Sequence, residues 1–193
     1  MKLIVGLGNP GIWYARSRHN IGSSIIRGLA GRYKLALKKD SSVSAVSAKT
    51  DIEGRAVAIA VPLTFMNLSG CAVAALVRKY RVELNDLLVV CDDLDLEFGR
   101  LRIKPGGSSG GQRGLKSIID ALKSQEFARL RIGIDRPRRT EKVVSDYVLS
   151  SFPRAQKKQL EEVTAQAIEC CEMWVREGID ASMNVFNKKE KIK

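Results

Sequence analysis

The 193 residues suit one domain with a large buried core, and 45% hydrophobic residues is the composition of a globular chain. A net charge of +12 calls for a polyanionic partner, nucleic acid or an anionic membrane surface. No apolar run approaches the ~20 residues of a membrane span, and Met1–Val5 is too short for a secretory signal core, so the expected compartment is the cytoplasm.

The charge is uneven: eight Lys or Arg, and no Asp or Glu, precede Asp40. Leu3–Leu7 reads as a buried strand. Gly6-Leu7-Gly8-Asn9-Pro10-Gly11 follows, then Arg18-His19-Asn20, which holds the only histidine. Ile21, Ile25, Ile26, Leu29 and Tyr33 recur at helical spacing over 21–34. Asp40–Lys49 is Ser-rich, a loop or a weak edge strand. Ala56–Val61 is a buried strand ended by Pro62, with an exit loop over Leu63–Ser69. Val73, Leu76, Val77 and Tyr80 mark an amphipathic helix over 70–82, and Leu87–Cys91 is the most hydrophobic strand.

Phe98–Lys104 alternates apolar and basic residues, as a half-exposed strand does. Pro105–Gly114 is a Gly/Ser loop, Leu115–Lys123 a helix, and Phe127–Ile134 a further alternating strand. Arg136–Arg139 is a basic turn containing proline, and Val143–Leu149 has no assignable type. A long helix over 153–177 carries Leu160, Val163, Ala167, Ile168, Cys171 and Trp174 on one stripe, stopped by Gly178. The domain is expected to span 1–187, with 188–193 a frayed basic tail. The cysteines (71, 91, 170 and 171) lack zinc spacing and read as reduced, structural thiols.

Strands alternating with helices imply an α/β fold, a single domain with a mostly parallel mixed twisted sheet covered by helices on both faces. Ligands in such folds bind beyond the carboxyl ends of the strands. Asn9, Asn67 and Asp92 each follow a different predicted strand. If those strands are neighbours, two amides and a carboxylate meet His19 in one crevice.

Three motifs suggest other chemistry. Gly6–Gly11 fits the dinucleotide fingerprint by letter. However, Pro10 removes a backbone donor, no helical face follows, and the acid expected ~20 residues later is absent, so no nicotinamide cofactor is expected. Gly106-Gly107-Ser108-Ser109-Gly110 fits a nucleophile elbow, but its strand is charged and no histidine follows it. Asp92-Asp93-Leu94-Asp95 could attract Mg²⁺. Strand alternation instead aims Asp92 at His19 and leaves Asp93 and Asp95 on the surface. No metal and no cofactor is expected.

Taken together, the chain resembles the bacterial-type peptidyl-tRNA hydrolase family. The matching residues are Gly6–Gly11, Tyr14, Arg18–Gly22, Pro62–Gly70, Asp92–Leu96, Gly110-Gly111, Gly114–Ile118, Arg129–Ile134 and Val143–Leu149. The resemblance implies hydrolysis of the ester between a peptide and the 3′ ribose of tRNA, with tRNA as partner and a monomeric enzyme. It implies His19 as general base, Asp92 as its partner, and Asn9 and Asn67 at the peptide end. Tyr14 and Phe65 would line the substrate site, with Met66 beneath and Gly110 in the glycine loop. Lys104 and Arg131 would meet the tRNA 5′ phosphate. One departure stands out: Gln112-Arg113 replaces the usual His-Asn, so the substrate- or water-binding role of that asparagine is not carried over. A non-catalytic RNA-binding relative on the same fold is the alternative.

Overall fold

The computed structural model describes residues 1–137 and 141–188, apart from the side chains of residues 141 and 142. Its strands are β1 (Lys2–Gly6), β2 (Lys38–Asp40), β3 (Ala45–Ile52), β4 (Arg55–Pro62), β5 (Leu87–Asp93), β6 (Leu101–Lys104) and β7 (Ala128–Gly133). The helices are α1 (Ile21–Arg32), α2 (Ser69–Tyr80), α3 (Arg113–Leu122), α4 (Glu141–Leu149), α5 (Lys157–Glu177) and α6 (Ile179–Phe186). They form one mixed sheet of seven strands, in the order β2-β3-β4-β1-β5-β7-β6.

The four central strands, β4-β1-β5-β7, run parallel, and antiparallel partners flank them at both edges. Parallel strands covered on both faces need apolar side chains in both directions, which explains the unbroken apolar runs of β1 and β5. Ile4 joins the core under α1 and α5, with Ile25, Ile26, Leu29, Ile168 and Trp174. Its neighbours Leu3 and Val5 join the opposite core under α2 and α3, with Val73, Leu76, Leu115 and Ile118. β1 pairs with both β4 and β5, so the chain exits carrying Asn9, Asn67 and Asp92 are adjacent, as expected.

Close contact explains the first glycines. A Cβ on Gly6 would overlap the Gly22 carbonyl, and one on Gly22 would overlap the Val90 carbonyl. Their absence lets α1 settle directly onto the ends of β1 and β5. The helix a dinucleotide fingerprint needs is not there: Gly11 leads into a single 3-10 turn, Ile12–Tyr14, and α1 starts only at Ile21.

Several segments differ from the sequence reading. Residues 38–52 form two strands around a turn, because β3 completes its ladder along the whole of β4. Val143–Leu149 is helical, within α4. Tyr147 anchors it by donating to the Ile134 carbonyl (2.5 Å), a tertiary contact that sequence periodicity does not report. The long helix starts at Lys157 after a 3-10 turn and ends at Gly178, φ 87°. The short helix α6 was not expected. It brings Asn187 to the free edge of β6, where its amide accepts from Ile103 N (2.8 Å) and donates to Ile103 O (2.9 Å). That satisfies an edge which would otherwise offer unpaired backbone groups. The end of the basic turn, 138–139, and the tail residues 189–193 lie outside the described residues.

Candidate active site

A cleft of about 640 Å³ opens at the carboxyl ends of the parallel strands. Asn9, Tyr14, His19, Phe65, Met66, Asn67, Asp92, Gly110 and Arg131 all line it. This size suits a small-molecule portion of a larger substrate.

His19 sits in a 3-10 turn, Arg18–Asn20, just before α1. Because α1 lies against β1 and β5, that turn is held over the end of β5. His19 Nδ1 is 2.8 Å from Asp92 Oδ2, and the Asp92 side chain is 3% exposed. A carboxylate accepts only, so Nδ1 carries the proton and donates. Nε2, unbonded among the described residues, keeps its lone pair for the cleft. Burial keeps this pair out of competition with water and strengthens its electrostatics.

The amide orientations around the pair are fixed by their neighbours. Asn9 Oδ1 accepts from Met66 N (2.8 Å), so its NH₂ group remains for the cleft. Asn20, buried beside His19, exchanges two 2.8 Å hydrogen bonds with the Asn9 backbone. Gln112 Nε2 donates to the second oxygen of Asp92, Oδ1, at 2.9 Å, and lies 3.4 Å from Met66 Sδ. His19, Asp92, Gln112, Met66, Asn9 and Asn20 thus form a continuous chain of contacts. Asn67 and Phe65 are exposed on the rim.

The sequence reading missed Gln112 and Asn20 as parts of the site. The turn composition Arg18-His19-Asn20 marks Asn20 only as a neighbour, and the role of Gln112 depends on where α3 begins. The cleft wall formed by Val144, Ser145, Val148 and Leu149 of α4 was also missed. Arg18, beside the histidine, holds that wall. Its guanidinium donates to Ser150 Oγ (2.6 Å) and Ser151 O (2.7 Å), and stacks on Tyr147 at 4.2 Å.

One placement corrects the sequence reading. Asp93 is not on the surface but 6% exposed, with Arg131 Nε 2.5 Å from its Oδ2. Burial pushes its carboxyl up, and Arg131 opposes that shift. Lys104 does not line the cleft. It lies on the β6–β7 ribbon, where Arg102 is paired with Arg131 and Lys104 with Arg129. The repulsion of Arg102 comes first among the causes that hold the Lys104 ammonium below its ordinary value, followed by burial and by Arg131 and Arg129.

The glycine loop is tied down from beneath. Arg129, 1% exposed, donates to the carbonyls of Gly107, Ser108 (3.1 Å) and Gln125 (2.7 Å). Ser108 is absent from the cleft lining and His19 is committed to Asp92, so a serine nucleophile there has no base. Among the described residues, no three His, Cys, Asp or Glu side chains cluster as a metal site would require.

The family model described as peptidyl-tRNA hydrolase matches residues 3–193. A peptidyl-tRNA hydrolase of Desulforudis audaxviator is 48% identical over 187 residues, covering 97% of this chain and 93% of its own. One of Brevibacillus brevis is 41% identical over 191 residues, covering 99% and 100%. The crystal structure of a peptidyl-tRNA hydrolase with N-propanol superposes with a TM-score of 0.92 at 34% identity, covering 99% of this chain and 96% of that one. The structure of the Acinetobacter baumannii enzyme superposes with a TM-score of 0.91 at 35% identity, covering 97% and 94%.

Proposed function

The chain belongs to the peptidyl-tRNA hydrolase family and cleaves the ester of peptidyl-tRNA, and we propose that it does so with His19 as general base and Asp92 as the group that orients it. The observation that carries the assignment is the 2.8 Å contact of His19 Nδ1 with a buried carboxylate, in a cleft that the imidazole also lines.

Asp92 holds the Nδ1 proton and so selects the tautomer in which Nε2 accepts a proton from water. The hydroxide that forms attacks the acyl carbon. The ribose 3′ oxygen departs and takes up a proton, releasing peptide and tRNA. General-base assistance of this kind is worth roughly 10²–10⁴-fold. The NH₂ group of Asn9 and the amide of Asn67 hold the peptide carbonyls. A donor aimed at the oxyanion, from Asn67 or the glycine loop, adds roughly 10²–10³-fold. Tyr14, Phe65, Met66 and Gly110 shape the site around the acyl group.

The tRNA lies along the basic ribbon, with Lys104 and Arg131 meeting phosphate. Asp93 supports that role of Arg131 by fixing its guanidinium beside the cleft. Residues 1–187 act as one domain and as a monomer in the cytoplasm, and the hydrolysis recycles tRNA from the products of aborted translation.

The test is release of tRNA from N-acetyl-aminoacyl-tRNA, with and without EDTA. His19→Ala should abolish most turnover while tRNA binding persists, and Asp92→Asn should lower turnover strongly. Near-normal activity of His19→Ala would refute the base assignment. Binding without cleavage by the unaltered chain would restore the RNA-binding alternative.

A further inference from the structure

We propose that Gln112 is a positioning residue for the catalytic pair: its amide fixes the Asp92 carboxylate, and through it the His19 ring. This rests on the general-base reading above and adds a third member to it.

Gln112 occupies the N-cap of α3, and its Oε1 accepts from Leu115 N at 2.9 Å. A backbone N–H only donates, so that end of the amide must be the oxygen. Nε2 is therefore forced to face Asp92, where it donates to Oδ1 at 2.9 Å. Oδ2 is taken by His19 at 2.8 Å. Each carboxylate oxygen thus has its own fixed donor, and Asp92 cannot rotate without losing one. The amide's second N–H points to Met66 Sδ, 3.4 Å away, which ties the Gln112 side chain to the turn carrying Asn67.

A free carboxylate can turn about its last bond and present either oxygen, or neither, to the imidazole. Anchoring Oδ1 removes that freedom. The anchor comes from a helix start, a rigid element, rather than from the loop. A charge-assisted hydrogen bond of this type is among the stronger ones available to a neutral donor. The amide's polarity matters as much as its length: an acceptor in the place of Nε2 would repel Asp92.

Gln112→Ser separates the two jobs of the side chain. Serine is a favoured N-cap and keeps α3 satisfied, but it is too short to reach Asp92. The expected result is a kcat about tenfold lower with KM unchanged, the loss of one hydrogen bond to a charged group. The melting temperature should fall by no more than a few degrees, the effect of leaving Asp92 Oδ1 without its donor while α3 keeps its cap. A second readout follows from there being a single histidine: the low-field Nδ1 proton resonance of the His19–Asp92 bond belongs unambiguously to this pair. It should move in Gln112→Ser.

Wild-type kcat in Gln112→Ser would overturn the proposal. So would a lower kcat with the resonance unmoved, because the amide would then act on the glycine loop and not on the carboxylate. His19→Ala, run alongside, keeps the two claims apart. If it stays active, the general-base reading fails. If it is inactive while Gln112→Ser is normal in kcat, only the positioning role fails.

Discussion

Asp92 and Asp93 are neighbours of identical chemistry that end in opposite roles. Strand alternation sends Asp92 toward α1 and His19, and Asp93 toward Arg131, so each buried carboxylate meets a different cationic or hydrogen-bonding partner. The reading of alternation from sequence separated the two correctly but took the opposite face for solvent. In a sheet covered on both sides, the opposite face is interior as well. The same scale governs Lys104. Arg102 is the first cause of its lowered ammonium value, so Lys104 is neutral more often than an ordinary lysine at mildly alkaline pH. Arg102→Ala should raise that value and slow acylation of Lys104 by an amine-reactive reagent, read by peptide mass mapping. Unchanged labelling would remove the coupling.

At the scale of elements, the site depends on two supports. One is the contact of α1 with β1 and β5, possible because neither Gly6 nor Gly22 has a Cβ; it carries His19 to Asp92. The other is Arg129, which binds the glycine loop to β7 through backbone carbonyls alone. Burial lowers its guanidinium value, yet the fork geometry satisfies several acceptors at once. Arg129→Lys keeps the charge and loses the fork. It should cost about 1–3 kcal/mol, the penalty of leaving buried carbonyls unpaired, measured by urea denaturation. It should also expose the 105–111 loop to subtilisin. A variant as stable and as resistant as the unaltered chain would show that the loop holds itself. Helix α4 belongs to this scale too: its apolar residues face the cleft and its hold is Arg18 and Tyr147, so no local pattern in its own sequence reports it.

At the scale of the molecule, the excess charge has a direction. Arg102, Lys104 and Arg131 share one face of β6 and β7, forming a basic ribbon beside the buried Arg129 that joins the cleft at Arg131. Binding of tRNA should weaken steeply with salt. Lys104→Ala should reduce the slope of log K against log salt by about one and leave hydrolysis of a short N-acetyl-aminoacyl ester unchanged. Equal losses on the short ester and on full-length tRNA would place Lys104 in the chemistry instead.

The sequence by itself determined the α/β class and the single sheet, and made His19 and Asp92 candidates for the site. Those follow from short-range periodicity, turn chemistry and a lone histidine among polar neighbours, all of which are local. Only the tertiary structure decided that Gln112 faces Asp92, that Asp93 is buried against Arg131, and that α4 and α6 are helices. Each of those depends on which segment packs against which, and on donors and acceptors that must be satisfied once water is excluded. No window of sequence contains both partners of such a contact.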